Sequence, residues 1–422
     1  MEDRSVIGRS VPRHDAVEKV TGQAVYAGDL DFPGLLHGKV LRSPYPHARV
    51  LSIDTGPALA LKGVRAVLTA RDIPGINRYG LAVQDQQALA AEYVRYRGDP
   101  VAAVAADTEE IALDALERIR VEYRELPGVF CPLAALEPGA PLVHEGGNLL
   151  QHTKIRKGDV DVGFSQAAVI VENEYRTHLV EHAYMEPEVS VARLDAGGTM
   201  TVWTSTQYPF RDRRQLAPVL NMPVSRVRVV QMTTGGGFGG KDDITTEMHA
   251  CLLALKTRRP VRVRFDRAES FLATTKRHPV VMRCRTGATS DGRLTAVEGK
   301  VYGDTGAYCS LGIFVIKKCG IHLPGPYYVP NIKVDTFTVY TNNPISGAMR
   351  GFGVVQAAFA HESQMDLLAE KLGITPYEIR VKNALDVGLS TSTGQVLEHS
   401  VGIKATLEAV RAYLEATGRV KS

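Results

Sequence analysis

The alternation of apolar and polar residues along the chain predicts many short β-strands with a smaller number of helices between them. Alternation over about four to eight residues is typical of a half-buried strand, whereas apolar residues three and four positions apart are typical of a helix. We predict strands at residues 36–41, 64–68, 100–106, 120–123, 169–175, 189–194, 200–207, 225–231, 261–265, 282–288, 294–302 and 332–340. Helices are predicted at residues 107–116, 243–257, 358–372, from 375 onwards, and at 403–416.

Turn and cap residues divide these elements. Asp107 with Glu110 predicts a capping box, Gly373 a helix C-cap, and Thr375 followed by proline a helix start. A stretch rich in proline, glycine and glutamate, residues 132–150, predicts a linker. We therefore predict an α/β domain at residues 1–131 and a second domain at residues 151–422.

Composition and charge narrow the class of protein. The 422 residues are 44% hydrophobic and 23% charged, as in an ordinary soluble globular protein, and a net charge of +4 is too small to indicate nucleic-acid binding. The polar start predicts no signal peptide, and no apolar run approaches a membrane span. The five cysteines are scattered without a C-x-x-C pair, so they indicate neither a zinc nor an iron–sulfur site. An odd number of lone thiols favours a cytoplasmic location.

The segment Thr234-Gly-Gly-Gly-Phe-Gly-Gly-Lys241 places five glycines around one phenylalanine, between a predicted strand and a predicted helix. Glycine has no Cβ and accepts positive φ, so such a loop lets the backbone approach a ligand closely. Backbone amides beside a helix N-terminus also suit an anion. The segment is therefore the first candidate for a binding site.

Two nucleotide-binding patterns overlap this loop. Its glycines satisfy G-x-G-x-x-G, and Asp266 ends the following strand, as in a dinucleotide site. Asp242 and Asp243, however, follow where the pyrophosphate would lie. A helix N-terminus attracts an anion by only about 0.3–1 kcal/mol, so two adjacent carboxylates would cancel its attraction for a pyrophosphate. A P-loop is excluded because Asp242 occupies the Ser/Thr position that holds magnesium. An NAD-binding dehydrogenase is thus a remote alternative.

The segment His178-Leu-Val-Glu-His182 matches the inverted zincin pattern H-x-x-E-H. That pattern binds zinc only on a helix, where both imidazoles share one face. Here a predicted strand precedes the segment and Pro187 follows it closely. A structural pair of histidines near a strand end is the favoured interpretation.

Several polar groups and a second glycine segment accompany the loop. Gln207 ends one predicted strand, Arg277-His-Pro279 precedes another, and residues 342–353 include Ala348-Met-Arg-Gly-Phe-Gly353. Each feature alone has an ordinary explanation, such as a surface amide or a tight turn. Together they offer polar strand-end groups and two loops with free backbone donors, as a large, oxygen-rich cofactor would need.

In the order STQ, GGGFGGK, RHP and GAMRGFG, these residues resemble the molybdopterin-binding subunit of the xanthine dehydrogenase (molybdenum hydroxylase) family. Residues 13–22 and Tyr26-Ala-Gly-Asp29 are similar to that family's hammerhead domain. The resemblance covers essentially the whole chain. It implies an α+β protein with an α/β hammerhead domain followed by the first of two molybdopterin-binding domains.

The resemblance also implies roles for individual residues. Gln207 would be catalytic, through a hydrogen bond to a ligand of molybdenum, while the pterin dithiolene rather than a side chain holds the metal. Asp242 stands where purine-oxidising members have glutamate, and its shorter side chain argues against purine specificity. The implied cofactor-binding residues are Gln207, Gly237, Phe238, Gly239, Ala348, Met349 and Arg350, and the implied substrate-pocket residues are Asp242, Arg277, Arg350 and Phe352.

The family's second molybdopterin domain carries the essential glutamate base, and its motifs do not occur in this sequence. Such a division resembles the bacterial nicotinate dehydrogenases, to whose larger molybdopterin chain residues 73–78 and 341–344 are also similar. The resemblance implies hydroxylation of an electron-poor N-heterocycle, first of all nicotinate to 6-hydroxynicotinate, with water as the oxygen source. It implies molybdopterin in its cytosine dinucleotide form, a partner chain with the glutamate, and Fe–S and FAD subunits. A purine or aldehyde hydroxylase is the alternative.

Overall fold

The fold combines helices and strands throughout residues 7–419, which are the residues that the computed structural model describes. The strands are β1 (Leu36–Arg42), β2 (Ala48–Asp54), β3 (Val64–Leu68), β4 (Tyr93–Val94), β5 (Pro100–Ala106), β6 (Arg120–Glu125), β7 (Leu149–Lys157), β8 (Val169–Arg176), β9 (Val189–Leu194), β10 (Met200–Thr204), β11 (Val227–Gln231), β12 (Val261–Arg264), β13 (Val280–Ala288), β14 (Leu294–Gly306) and β15 (Asn331–Tyr340). The helices are α1 (Ala16–Val20), α2 (Gly56–Leu59), α3 (Glu109–Arg118), α4 (Val160–Ser165), α5 (Pro209–Val219), α6 (Glu247–Thr257), α7 (Arg267–Ala273), α8 (Gly312–Ile321), α9 (Val354–Leu372), α10 (Pro376–Asn383) and α11 (Ile403–Ala416). The predicted α+β class is confirmed.

The ends of the predicted domains at residues 1–6 and 420–422, including the polar start of the chain, lie outside the described residues. Among residues 7–419, no helix has both the length and the apolar character needed to cross a bilayer.

Three predicted helix starts are wrong, and one of them is that of α9, which begins at Val354 rather than at residue 358. The N-cap of α3 is Thr108, whose hydroxyl accepts from the amide of Ile111 at 3.3 Å, whereas Asp107 forms an ion pair with Arg65. Helix α6 begins at Glu247 rather than at residue 243. The carboxylate of Asp243 accepts from the hydroxyl of Ser310 at 2.8 Å, which ties that position to another part of the fold. The C-cap at Gly373 and the capping box of α10 are confirmed.

Several elements have no clear pattern in the sequence. Strand β7 begins inside the predicted linker, and side-chain hydrogen bonds hold the residues that precede the strand. Its Asn148 side chain accepts from the amide of Val143 at 2.9 Å and donates to the carbonyls of Ala135 and Pro141. Helices α5 and α8 are also absent from the prediction. Their sequences contain proline or glycine, which lowers helix propensity.

A seven-stranded sheet contains strands from both sides of the predicted linker. Its order is β11-β10-β9-β12-β1-β5-β3, with β1 parallel to β12. Strands β7-β15-β14-β13-β8 form a second, five-stranded sheet, and β4-β2-β6 form a small third one. The linker thus separates two parts of the chain that pair with each other in one sheet.

Each large sheet has its own apolar core. Helix α6 packs on the seven-stranded sheet, where Met248, Cys251 and Leu253 are buried with Val261 and Val263. Helices α8 and α9 pack with the five-stranded sheet in a second core. The loop after β11 and the loop after β15 leave these two cores and meet between them, which determines where a site can form.

We predict that Gly38→Ala destabilises the fold where β1 pairs with β12. A Cβ at Gly38 would lie 2.6 Å from Cγ2 of Val263 and 3.0 Å from Cδ1 of Leu253. Overpacking of this kind costs about 1–3 kcal/mol, so the midpoint of thermal unfolding should fall. The midpoint can be followed by circular dichroism. Gly146→Ala is the control, since nothing lies within 4 Å of its Cβ position. Equal midpoints for the two variants would contradict the close packing.

Candidate functional site

Two glycine loops form the centre of the candidate site. The first glycine loop (residues 234–241) follows β11, and the second glycine loop (residues 342–353) lies between β15 and α9. The amide of Arg350 donates to the carbonyl of Phe238 at 2.8 Å, which joins the two loops directly. A Cβ at Gly239 would lie 2.7 Å from the carbonyl oxygen of Ala348. Glycine at 239 is therefore a condition for this contact.

Gln207 is tied to the first glycine loop at two points. Its backbone amide donates to the carbonyl of Lys241 at 2.9 Å, and its Oε1 accepts from the amide of Gly239 at 2.9 Å. A Cβ at Gly237 would lie 2.5 Å from the same Oε1. The side-chain nitrogen Nε2 of Gln207 donates no hydrogen bond within residues 7–419. The loop thus orients this amide and leaves its donor end available.

Aromatic residues hold unusual backbone conformations in both loops. Phe238 has φ 55° and Phe352 has φ 47°, in the left-handed region that costs a bulky residue roughly 1–3 kcal/mol. The side chain of Phe238 is half exposed. Phe352 packs partly against the second core, with the amine of Lys318 at 5.8 Å from its ring centroid. A bulky residue keeps such an unfavourable conformation only where the surrounding contacts require it, so both loops are held in one specific backbone conformation.

Backbone donors remain free where the loops meet. Among residues 7–419, the amides of Phe238, Ala348 and Met349 have no hydrogen-bond acceptor. Ala348 is buried, and a buried backbone amide without a partner is rare in native proteins. Three free amides beside the Nε2 donor of Gln207 suit a ligand that carries several oxygen atoms. The glycines between them leave room for such a ligand to approach.

Two buried ion pairs lie beneath the loops. The amine of Lys241 lies 2.8 Å from Glu186 Oε2, which also accepts from the amide of Gly235 at 2.7 Å. The amine of Lys276 lies 2.6 Å from Glu181 Oε2. Sequence reasoning missed these pairs. Lys241 was visible beside the glycines, but Glu186 is 55 residues away and no local pattern marks it.

Asp242 is almost fully buried at the end of the first glycine loop. Burial, together with the nearby charge of Asp243, raises the pKa of Asp242 to about 7. Burial also raises the pKa of Asp243 to about 6. Oδ1 of Asp242 has no hydrogen-bond partner in the described chain. A carboxyl group with such a pKa is partly protonated near neutral pH and can donate as well as accept.

Arg277 contacts the second glycine loop. Its Nη2 donates to the carbonyl of Arg350 at 3.0 Å, and its Nη1 is buried without a partner in the described chain. Burial lowers the pKa of this guanidinium below its ordinary value. The Arg350 side chain is exposed, so this residue joins the site through its backbone. Arg277 therefore offers an unused buried donor to an anionic group.

The segments that match nucleotide-binding and zinc-binding sequence patterns do not adopt the geometry that such binding requires. The carboxylate of Glu186 accepts from Gly235, which puts a negative charge where a pyrophosphate would bind. Asp266 caps α7 by accepting from the amide of Glu269 at 2.7 Å. The segment with His178 and His182 forms no helix and lies in the connection between β8 and β9. No group of three or more His, Cys, Asp or Glu side chains suited to a metal ion occurs in residues 7–419.

Both parts of the chain match known families. Residues 21–127 match the aldehyde oxidase and xanthine dehydrogenase a/b hammerhead domain, and residues 143–384 match the molybdopterin cofactor-binding domain. The nicotinate dehydrogenase large molybdopterin subunit of Eubacterium barkeri is 47% identical over 410 residues, covering 97% of this chain and 96% of the relative. A probable xanthine dehydrogenase subunit of Bacillus subtilis is 45% identical over 371 residues, covering 88% of this chain and 50% of the relative.

A solved structure agrees with these matches. The aldehyde oxidoreductase of Desulfovibrio gigas superposes with a TM-score of 0.93 at 32% identity, covering 96% of this chain and 46% of that one. The chain spans nearly all of the Eubacterium subunit but about half of the other two proteins. The predicted order of a hammerhead domain and a molybdopterin-binding domain is confirmed. The chain belongs to the molybdopterin-binding subunits of the xanthine dehydrogenase (molybdenum hydroxylase) family.

Proposed function

We propose that this chain is the large molybdopterin-binding subunit of an enzyme that hydroxylates nicotinate to 6-hydroxynicotinate, with water as the oxygen source. One observation carries the substrate: the nicotinate dehydrogenase subunit of Eubacterium barkeri is 47% identical and matches over 97% of this chain and 96% of its own length. A match over nearly the full length of both chains supports a shared subunit organisation. We further propose that the enzyme works in the cytoplasm.

The residues of the two glycine loops fit a molybdopterin. We propose that the free amides of Phe238, Ala348 and Met349 hold its oxygen-rich end, and that Gly237 and Gly239 leave the space it needs. The backbone of Arg350 completes the cradle by fixing one loop to the other. The cofactor, in our proposal the cytosine dinucleotide form with molybdenum, supplies the oxygen transfer and accepts two electrons. No side chain of this chain ligates the metal in this arrangement.

The other site residues orient the substrate. Gln207 is the proposed catalytic residue, because its fixed amide donates toward the reacting centre and stabilises developing negative charge. Arg277 is the proposed anchor for the carboxylate, since a guanidinium matches carboxylate geometry and Nη1 is unused. Phe352 would stack on the ring, and Asp242 would line the pocket beside it.

We propose that partner chains complete the enzyme. A second molybdopterin subunit would supply the glutamate base, and Fe–S and FAD subunits would carry the electrons away. This organisation follows from the resemblance to the split nicotinate dehydrogenases.

A purine or aldehyde hydroxylase is the second candidate function. It is favoured by the 45% identity to the probable xanthine dehydrogenase subunit of Bacillus subtilis. Asp242 separates the candidates, because a carboxyl group that is partly protonated near neutral pH can both donate to and accept from a purine ring. Its short side chain favours the nicotinate proposal, since it reaches less far into the pocket than glutamate would.

We predict that the complex purified through this chain from its native host contains about one molybdenum per copy and oxidises nicotinate faster than xanthine or aldehydes. Metal analysis by mass spectrometry and a substrate screen check both parts. An active complex free of molybdenum would contradict cofactor binding. Molybdenum with a preference for purines or aldehydes would instead contradict only the choice of substrate.

We predict that Gly239→Ala removes most of the molybdenum from the complex. Gly239 has φ 101°, and its Cβ would press on the Ala348 carbonyl at 2.7 Å, which pushes the two loops apart. Gly147→Ala is a matched control, because Gly147 has φ 99° but nothing within 4 Å of its Cβ position. The two variants share the backbone strain and differ in the loop contact. Equal molybdenum content in both would refute the role of that contact.

We predict that Arg277→Met raises KM for nicotinate by about tenfold to a hundredfold, because a hydrogen bond to a charged group contributes about 1.5–3 kcal/mol. Steady-state kinetics with nicotinate and with a pyridine lacking the carboxylate measure the effect. KM for the uncharged substrate should change little. Arg277→Lys keeps the positive charge, so its KM for nicotinate should lie between those of the wild type and Arg277→Met. An unchanged KM for nicotinate would exclude Arg277 as the anchor.

A further inference from the structure

The side chain of His182 lies between the two glycine loops. It is fully buried, and its Nε2 lies 2.7 Å from the carbonyl oxygen of Ala348 in the second loop. On its other side the ring meets the first loop, where a Cβ at Gly240 would lie 2.9 Å from Cγ and Nδ1 of His182. This residue belongs to the H-x-x-E-H pattern, whose non-helical backbone does not suit zinc. One side chain thus touches both halves of the cradle.

The hydrogen bond fixes the state of the ring. A carbonyl oxygen can only accept, so Nε2 of His182 carries a proton and donates. Nδ1 is buried, has no hydrogen-bond partner within the described chain, and lies 3.9 Å from Oε1 of Glu181. A residue needed only to fill space would be apolar, since an unsatisfied buried nitrogen is unfavourable. The bond to Ala348 is therefore the reason for a histidine at this position.

The backbone around His182 is held from both sides. Oε1 of Glu181 accepts from the backbone amide of His182 at 3.1 Å, and Oε2 pairs with Lys276. Burial opposes ionisation of Glu181, but its contacts with His182 and Lys276 outweigh this and lower its pKa. The backbone of Lys276 in turn pairs with Ile345 and Gly347 of the second loop, at 2.9 Å each. The ring and the Ala348 carbonyl are thus positioned by one connected network.

The orientation of one peptide group follows from this bond. In a planar trans peptide the C=O of Ala348 and the N–H of Met349 point in opposite directions. Binding of the carbonyl by His182 therefore directs the free amide of Met349 away from the histidine. We propose that His182 is a positioning residue that sets the spacing of the two glycine loops and aims the Met349 amide at the bound cofactor. This inference rests on the proposed cofactor site.

Two substitutions separate the hydrogen bond from packing. In His182→Gln the amide nitrogen takes the place of Nε2 and can still donate to Ala348. In His182→Asn the shorter amide reaches only the place of Nδ1 and leaves the Ala348 carbonyl without a donor. Both replacements are polar, uncharged and of similar volume. A difference between them therefore reports on the bond rather than on the loss of the ring.

The experiment compares both variants with the wild-type complex. It measures hydrogen–deuterium exchange of residues 345–353, molybdenum per chain, thermal unfolding, and kcat and KM for nicotinate. His182→Asn should exchange faster in this segment and lose molybdenum, and the copies that keep molybdenum should have kcat reduced by about tenfold to a hundredfold, as for a misplaced reacting group. KM should be nearly unchanged. His182→Gln should resemble the wild type in every measurement.

Other results would overturn the proposal. Wild-type exchange and kcat in His182→Asn would show that the bond positions nothing. Equal losses in both variants together with a lower unfolding temperature would show a purely structural role. A wild-type complex without molybdenum would refute the proposed function. Exchange in residues 345–353 would then still show whether His182 orders the second loop, so the two failures can be told apart.

Discussion

The backbone contact between the two glycine loops is the constraint on which the site depends. The amide of Arg350 donates to Phe238, and Gly239 lies against Ala348 at a distance that no side chain allows. One loop follows a strand of the seven-stranded sheet and the other a strand of the five-stranded sheet. Because the loops meet through backbone atoms, the relative position of the two cores determines the shape of the cradle. The positive φ of Phe238 accompanies this contact between the loops.

Buried charge maintains that arrangement from beneath. Lys241 pairs with Glu186 under the first loop, and Lys276 pairs with Glu181 under the second. Removing ions from water is unfavourable, so buried pairs add little net stability, but losing one partner leaves an uncompensated charge. Each pair consequently holds its loop in one arrangement. His182 adjoins Glu181 and bonds Ala348, which places a hydrogen bond between the charged network and the cradle.

The sequence predicted the local elements better than their assembly. Strands β3, β5 and β9 have the predicted ends, and most of their residues are buried, so the apolar character of each run was enough to mark the strand. The glycine loops were found because glycine marks close backbone approach. The pairing of β1 with β12 and the burial of Asp242 depend on residues far apart in the chain. Helix α8 was missed because its sequence contains two glycines, and its packing on Gly303, where a Cβ would lie 2.0 Å from Ile316, is a long-range contact. His182 has no local signal that separates its role from that of a core histidine.

The electrostatics of the pocket bear on the proposed substrate. Nicotinate carries a carboxylate, and an ionised Asp242 beside it would repel that group. Burial and the charge of Asp243 raise the pKa of Asp242 to about 7, so a large share of this carboxyl group is neutral near pH 7. Burial lowers the pKa of Arg277, but a guanidinium keeps its charge in proteins. On the proposed placement of both residues, the pocket therefore keeps one positive charge and reduces the opposing negative one, which suits the carboxylate of nicotinate.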